Sequence, residues 1–308
     1  RVFPGSNTGS LASRFAFHLM NEVIPHVDFC IDYHTGGAQR FNYSQIRIDE
    51  GCDETFELAK IFASPYIVYS KSPERTFRKS ITKLGKKVLL FEGGKSLNLD
   101  KNVTKLVYDI VKAGKTPIII GGGHNNAYGN IKGTSLALNT PINAVNFDAH
   151  TDFRSEEGRH SGNGFSYAYS EGFLKNYFVF GLHENYTSEA IFKKIDTTKI
   201  LDYNTFEDII LRKKSSFKSE MKRALKHVSH NAFGIEVDCD AIANIPSSAM
   251  SPSGFSVNHA RRFVDFFARH KNAKYLHICE AAPTPGNESQ VGKLITYLIT
   301  DFIRANAS

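Results

Sequence analysis

At 308 residues, with 41% apolar and 22% charged residues, the chain is long and apolar enough for one large α/β domain or two ordinary ones. No apolar run approaches the roughly 20 residues that a helix needs to cross a membrane, which excludes a helical membrane protein. The formal net charge of +7 leaves a nucleic-acid partner to be judged from where the basic residues fall.

Residues 1–100 alternate between amphipathic and apolar segments. Predicted helices cover 10–24, 53–63 and 74–84, and predicted strands cover 27–34 (VDFCIDYH), 66–70 (YIVYS) and 87–94 (KVLLFEGG). We expect an α/β fragment as a first domain over 1–100, although no Pro- or Gly-rich linker separates it from the rest of the chain.

From residue 101 to 308 the alternation is strict. Predicted helices cover 103–113, 126–138, 164–173, 187–195, 216–229, 257–269 and 288–305, and predicted strands cover 116–120, 142–148, 176–182, 199–203, 231–238 and 273–280. This order predicts a second domain of three layers, α/β/α, around a mostly parallel sheet. Functional groups in such sheets gather at the carboxyl ends of the strands.

The densest basic stretch, 212–226, is typical of one helix in which Phe217, Met221 and Leu225 face inward. Its lysines and arginines then form a solvated face, so we expect no nucleic acid to bind. The chain starts without an initiator Met or a signal-peptide pattern, so we expect it to begin within a longer protein. Four widely spaced cysteines form no CxxC pair, which favours reduced thiols in a cytoplasmic protein: Cys30, Cys52, Cys239 and Cys279.

The segment NFDAHTDFR closes a predicted buried strand with Asp148, His150 and Asp152 at every second position. Side chains at i, i+2 and i+4 of a strand project to one face, where these three groups are costly to bury without a cation between them. The alternative is a polar strand end that caps a neighbouring helix, but a cap needs only one such residue.

Two further strand ends carry residues of the same kind. His124 follows the strand TPIII in GGGH, and Asp238 and Asp240 end another strand in VDCD. Two imidazoles and four carboxylates on one edge exceed what one ion needs and predict two divalent cations that share carboxylates. The oxygen-rich set favours Mn²⁺ over Zn²⁺, and a pair of such ions can activate water.

In GGGHNNAYG, NFDAHTDFR, GIEVDCDAI and HICEAAP, residues 101–308 resemble the ureohydrolase family of arginase, agmatinase and formimidoylglutamase. The resemblance implies an arginase-like fold and a binuclear manganese site formed by His124, Asp148, His150, Asp152, Asp238 and Asp240. It also implies that Glu280 in EAAP binds the planar amidine or guanidine of the substrate. Taken alone, Glu280 could instead pair with a surface lysine.

The motifs depart from the family pattern in places. An amide follows the GGGH ligand, and DCDAIAN lacks the family's final Asp-Pro, so we expect a changed loop with intact ligands. The proton-relaying histidine that arginases carry after SGN is missing. His160, just before SGN, is its nearest replacement.

The segments HSGNGFSYA and FGLHENY resemble formimidoylglutamases, which implies that N-formimidoyl-L-glutamate is hydrolysed to L-glutamate and formamide. Arg154 would bind the substrate carboxylates, Ser161 and Asn163 would add neutral hydrogen bonds, and Asp152 would carry the proton to the leaving amine. The alternative for Arg154 is a salt bridge to Glu156 or Glu157.

In RVFPG, IDYHTGG and LLFEGG, residues 1–100 resemble a fragment of the succinylglutamate desuccinylase and aspartoacylase group, which has a zinc-carboxypeptidase-like fold. The resemblance implies a remnant of a deacylase site at Arg1, His34 and Glu92. The group's HxxE ligand pair is absent, and a lone His34 cannot hold a catalytic zinc, so we expect no competent site here.

Two other functions stay open at this point: a zinc-dependent N-acyl amino acid deacylase, and a catalytically inactive chimaeric or binding protein. The expected partner is a small-molecule substrate with carboxylates. A homo-oligomer is possible because members of the ureohydrolase family often form oligomers.

Overall fold

The structure, a computed structural model, describes residues 2–34, 42–62, 64–94, 101–284 and 286–307. The helices are α1 Leu11–His18, α2 Asp53–Phe62, α3 Phe77–Lys83, α4 Lys101–Lys112, α5 Asn126–Leu138, α6 Gly164–Ser170, α7 Glu189–Thr197, α8 Phe217–Val228, α9 Val257–Ala268 and α10 Glu288–Asn306. The strands are β1 Phe29–His34, β2 Asn42–Ile48, β3 Tyr66–Tyr69, β4 Lys87–Gly94, β5 Ile118–Ile120, β6 Ile142–Phe147, β7 Leu174–Leu182, β8 Leu201–Thr205, β9 Phe233–Asp238 and β10 Ala273–Cys279. Each predicted helix and strand has a counterpart here, with ends that differ by a few residues.

The chain forms two compact units. The first comprises Arg1–Asn102 and Pro285–Thr296, and the second comprises Val103–Thr284 and Tyr297–Ser308. The assignment of 1–100 to a deacylase-like domain without a competent site, and of 101–308 to a ureohydrolase-like metal domain, remains a prediction.

The first unit contains a mixed four-stranded sheet in the order β1-β4-β2-β3. Strand β2, which the sequence analysis did not predict, runs antiparallel to β4 and parallel to β3. Only Ile46 and Ile48 of this strand carry the apolar alternation that marks a half-buried strand, and both are fully buried. Two apolar positions among seven residues are too weak a signal to identify a strand in advance.

The second unit is built on a six-stranded sheet in the order β5-β10-β9-β6-β7-β8, and all its described pairings are parallel. Every residue of β6 and β9, the two central strands, is buried. Strands that are buried at every position have both faces covered, as in the predicted three-layer arrangement. The prediction of a mostly parallel α/β sheet is confirmed.

The basic stretch 212–226 differs in part from its prediction. Helix α8 begins only at Phe217. Ser216 is its N-cap, since the Ser216 side chain accepts a hydrogen bond from Ser219 N–H. Phe217 and Met221 are buried as predicted, but Leu225 is only half-buried. The predicted single helix over the whole stretch was therefore wrong at its start.

Among the described residues, no helix combines the length and the apolar character that crossing a membrane requires.

Candidate metal centre

The GGGH loop places His124 at the carboxyl end of β5. Gly121 and Gly122 have φ angles of +88° and +78°, which glycine adopts without the steric cost of a Cβ. Their backbones extend the pairing of β5 with β10, since Gly121 N–H donates to Ile278 O and Glu280 N–H donates to Gly122 O. The loop therefore turns the chain sharply and buries the His124 side chain completely.

The DAHTD segment begins directly after β6. Asp148 is fully buried, and its two oxygens accept hydrogen bonds at 2.8 Å from His150 N–H and from the Asn146 side chain. Asp152 has a φ of +45°, a left-handed conformation that costs ~1–3 kcal/mol in a non-glycine residue and that clusters at functional sites. These contacts fix the direction of each carboxylate.

The VDCD segment ends β9 and begins a short turn of 3₁₀ helix. Asp238 accepts a hydrogen bond of 2.7 Å from Asp240 N–H. Asp240 in turn accepts from Ala249 N–H at 3.0 Å and from the Ser248 hydroxyl at 3.3 Å. Both carboxylates are buried, and backbone N–H groups hold them in place.

Three carboxylates surround one imidazole nitrogen. Nδ1 of His124 lies 2.7 Å from Oδ2 of Asp152, 3.1 Å from Oδ2 of Asp238 and 3.2 Å from Oδ2 of Asp148. Despite these distances, Nδ1 has no hydrogen-bond partner with acceptable geometry in the described part of the chain. The four side chains thus point at a common centre rather than along hydrogen bonds to one another.

The remaining predicted ligands flank this group. His150 is the most exposed of the set, with 30% of its side chain accessible, and its Nδ1 lies 3.5 Å from Oδ1 of Asp148. Its ring stacks on Tyr186 at 5.0 Å. Asp148 contacts both histidines, and Asp238 contacts both His124 and Asp240, so these two carboxylates occupy the middle of the cluster.

The acids repel one another strongly. Burial and the Asp148 charge raise the pKa of Asp152 to about 6 and raise the pKa of Asp238 well above its usual range. Burial also opposes ionisation of Asp148, but the imidazoles of His124 and His150 outweigh it and lower the pKa of this carboxyl. In the metal-free protein, protons therefore offset part of the repulsion that cations would offset.

The donor set fits hard divalent cations. One ligand atom from each of His124, Asp148, Asp152 and Asp238 lies within 4.8 Å of the others, and all four residues are buried. Carboxylate oxygens with few imidazoles suit Mn²⁺. The unpartnered Nδ1 of His124 faces these carboxylates, as a nitrogen that binds the same cation would.

Glu280, the predicted amidine-binding carboxylate, lies beside this cluster. Its Oε1 accepts a hydrogen bond of 2.7 Å from His124 N–H, and its backbone adopts a φ of +59°. A Cβ on Gly123 would lie 3.2 Å from the same oxygen, so the third glycine of the loop leaves room for the carboxylate. The structure thus brings Glu280 together with the predicted ligands.

The loop after the DAHTD segment carries the other predicted substrate residues. Arg154 is 60% exposed, and its Nη2 lies 3.8 Å from Oε1 of Glu157, the salt bridge that was its alternative. The Asn163 amide instead holds this loop, since it donates to Ser155 O and Gly158 O. Ser161 begins the short helical turn after it.

His160, the predicted proton relay, is engaged within the same loop. Its Nδ1 accepts a hydrogen bond of 3.1 Å from Gly162 N–H, and its Nε2 lies 3.4 Å from Oε1 of Glu157. These contacts cap the turn over Ser161–Asn163, and the relay stays a prediction.

The remnant deacylase residues do not form such a cluster. His34 and Glu92 are register partners on β1 and β4, but His34 pairs with Asp32 at 3.1 Å and Glu92 with Arg47 at 3.2 Å. Among the described residues, the first unit contains no group of three potential ligands. Arg1 lies outside the described residues.

The sequence analysis missed a buried polar network next to His124. Glu236 on β9 and His277 on β10 are register partners, both fully buried, and Nδ1 of His277 lies 2.5 Å from Oε2 of Glu236. Burial opposes ionisation of Glu236, but His277 and His124 outweigh it and lower the pKa of this carboxyl to about 2. Ionisable residues two positions before Asp238 and Cys279, inside otherwise apolar strands, were the available signal.

Two family models match the sequence. One, the arginase family, matches residues 68–304, and the other, the succinylglutamate desuccinylase/aspartoacylase catalytic domain, matches residues 1–113. Both predicted resemblances are confirmed. The arginase match begins earlier than predicted, so the two overlap over residues 68–113.

Relatives and solved structures are similar to most of this chain. A formimidoylglutamase of Streptococcus pyogenes serotype M12 is 25% identical over 232 residues, covering 70% of this chain and 71% of that protein. A formiminoglutamase of Trypanosoma cruzi, solved with manganese, has a TM-score of 0.64 at 16% identity and covers 97% of this chain and 98% of that one. A formimidoylglutamase of Bacillus subtilis has a TM-score of 0.60 at 16% identity, covering 90% and 87%. The two structural likenesses establish the fold, and the prediction of an arginase-like fold is confirmed.

Proposed function

The chain belongs to the arginase family, and from that premise we propose that it is a manganese-dependent hydrolase of linear amidines, acting on N-formimidoyl-L-glutamate. The observation that carries the proposal is the convergence of buried carboxylates on Nδ1 of His124 at the carboxyl ends of neighbouring parallel strands. The formimidoylglutamase of S. pyogenes supports the choice of substrate. The reaction consumes one water and yields L-glutamate and formamide.

We assign the cluster to two Mn²⁺ ions. Six residues would hold them: His124, Asp148, His150, Asp152, Asp238 and Asp240. The oxygen-rich donors support this choice of metal, as does the T. cruzi formiminoglutamase, which was solved with manganese. When bound, the two ions supply an activated water at neutral pH and polarise the amidine.

The chain's own groups orient the substrate and move the proton. Glu280 accepts hydrogen bonds from the planar N–H groups of the amidine, since an ionised carboxylate is an acceptor only. Its contact with His124 N–H and its left-handed backbone hold it at a fixed position beside the ligands. Asp152 accepts a proton from the attacking water and passes it to the leaving amine, as a general base and then a general acid.

Arg154 selects a substrate with carboxylates. Its guanidinium is mostly exposed, and its contact with Glu157 is long, so a substrate carboxylate can replace Glu157 as its partner. Ser161, on the same loop, can add a neutral hydrogen bond. The Asn163 amide is used by Ser155 O and Gly158 O, so we assign it to holding the loop.

Formamide release from N-formimidoyl-L-glutamate tests the proposal. The Mn²⁺-loaded chain should release one formamide per glutamate formed, and the same preparation should show far lower turnover of arginine and agmatine. Turnover of arginine or agmatine alone would refute the substrate assignment. Zinc-dependent release of an acyl group from N-acyl amino acids would instead favour a deacylase of the first unit.

We place this activity in the cytoplasm, with a small molecule as the partner and no nucleic acid or membrane. The four cysteines are free thiols, which supports a reducing compartment. Assembly into a homo-oligomer stays a prediction.

A further inference from the structure

A second group of donor atoms lies against His124. One ligand atom from each of His124, His277 and Cys279 lies within 4.8 Å of the other two, and all three side chains are fully buried. His277 and Cys279 occupy alternate positions of β10, so they project to the same face of the sheet. The manganese centre uses neither of them.

His277 is oriented as a metal ligand is. Its Nδ1 lies 2.5 Å from Oε2 of Glu236, whose other oxygen accepts a hydrogen bond of 2.7 Å from the Tyr275 hydroxyl. Nδ1 is the ring nitrogen that meets the Glu236 carboxylate, so Nε2 is the nitrogen left for a metal. Metal-binding histidines typically donate their other ring N–H to a carboxylate in this way.

The second ring nitrogen of His277 is unused among the described residues. Within the described part of the chain, Nε2 of His277 is buried without a hydrogen-bond partner, and so is Nε2 of His124. Leaving a buried polar atom unpaired is unfavourable, so two such atoms in one small group indicate a ligand that would use them.

The two sides of His124 present different chemistry. Nδ1 faces the carboxylates of the manganese centre, whereas Nε2 lies 3.6 Å from Oε2 of Glu236, on the side of the His277 network. Two imidazoles and a thiolate are soft donors that suit Zn²⁺ and Cd²⁺, while Mn²⁺ prefers oxygen. The segment HICE supplies His277 and Cys279. His277 has a carboxylate partner because β10 aligns it beside Glu236 of β9.

We propose that His124, His277 and Cys279 form a site for a thiophilic divalent cation such as Zn²⁺, separate from the carboxylate centre but sharing His124 with it. Binding forms two metal–nitrogen bonds and one metal–sulfur bond, the thiol proton of Cys279 and any proton on the two ligating ring nitrogens pass to solvent, and no group is oxidised or reduced. A neutral imidazole offers a single lone pair, so His124 can serve only one centre at a time, and a cation at this site weakens Mn²⁺ binding. Excess Zn²⁺ would thus inactivate the enzyme at a defined place.

Titration of the metal-free chain with Cd²⁺ tests this site, because thiolate–cadmium charge transfer absorbs in the ultraviolet and carboxylate ligands give no such band. The wild-type chain should develop the band to saturation. Cys279→Ser should abolish it, and Cys52→Ser, a matched change at a half-buried thiol, should retain it. Prior loading with Mn²⁺ should raise the Cd²⁺ concentration needed, because His124 is shared.

A second variant covers the case in which Cys279→Ser fails to fold. His277→Gln keeps the thiol, and it should weaken Cd²⁺ binding by at least about 10- to 100-fold, since losing even the partner that supports a ligand costs that much. Circular dichroism and the unfolding midpoint of each variant establish that it is folded. The proposal is wrong if the wild-type chain gives no band, if the band survives in folded Cys279→Ser, or if His277→Gln binds Cd²⁺ as tightly as wild type. The absorption needs no substrate, so the result is independent of the proposed reaction.

Discussion

Both units of the chain end neighbouring strands with a histidine and an acid, yet the two places differ in charge balance and burial. In the first unit, Asp32 pairs with His34 and Arg47 pairs with Glu92, and half of the His34 side chain is exposed. In the second unit, carboxylates from two strand ends surround Nδ1 of His124, which is fully buried.

The difference shows when a polar strand end becomes a metal site. Where each acid has its own basic partner near the solvent, the ion pairs contribute little to the stability of the fold, and the acids need no cation. Where buried acids outnumber their basic partners, the structure is tolerable only with protons or metal ions between them. The raised pKa values of Asp152 and Asp238 record that excess of negative charge.

The largest expected effect comes from removing a carboxylate in the middle of the ligand cluster. Asp238→Asn should lower turnover of N-formimidoyl-L-glutamate by at least about 100-fold, because metal ions contribute several kcal/mol of transition-state stabilisation. The kinetic assay should be run with excess Mn²⁺. Near-normal turnover would show that this cluster is not the reactive centre. Asp32→Asn, the matched change in the first unit, should leave turnover unaltered.

Glu280→Gln should have the next largest effect. The amide keeps the shape of the side chain but loses the charge that accepts two N–H groups of the amidine, an interaction of about 1.5–3 kcal/mol. We expect kcat/KM to fall about 10- to 100-fold while Mn²⁺ content, measured by mass spectrometry, stays normal. Loss of manganese in this variant would instead make Glu280 a support for His124, through the hydrogen bond to His124 N–H.

Arg154→Ala should act on substrate binding alone. Because the guanidinium is mostly exposed, its pairing with a carboxylate contributes about 1 kcal/mol, and KM should rise about fivefold with kcat nearly constant. Arg154→Lys, which keeps the charge, should recover part of the loss. A fall in kcat with constant KM would contradict the assignment.

The smallest effect is expected in the first unit. His34→Ala and Glu92→Gln should each change kcat/KM by less than about twofold, since their partners are Asp32 and Arg47 rather than a substrate or a metal. Thermal unfolding of both variants should confirm that they fold. A loss of activity on formimidoylglutamate in either one would show that the deacylase-like unit takes part in catalysis.

Much of the second unit follows from local pattern. Its strands are short apolar runs between amphipathic helices, and the ligand residues stand at i and i+2 where those runs end. The sequence pattern therefore predicts both the strands and the positions of the ligands. Strand β2 was not readable, because only Ile46 and Ile48 mark it.

Other features depend on how strands align, which one sequence does not state. Glu236 and His277 lie far apart in the chain and meet only through the register of β9 and β10. Similarly, nothing local in the sequence shows that the Asn163 amide donates to Ser155 O and Gly158 O.

The count of bound manganese tests most directly the claim that this cluster is a two-cation centre. Equilibrium dialysis of the wild-type chain against Mn²⁺ should give two ions per chain, with His34→Ala unchanged. Asp238→Asn should lose at least one of them, since that carboxylate contacts both His124 and Asp240 in the middle of the cluster. A wild-type chain that binds no manganese, or an Asp238→Asn variant that still binds two ions, would contradict the account.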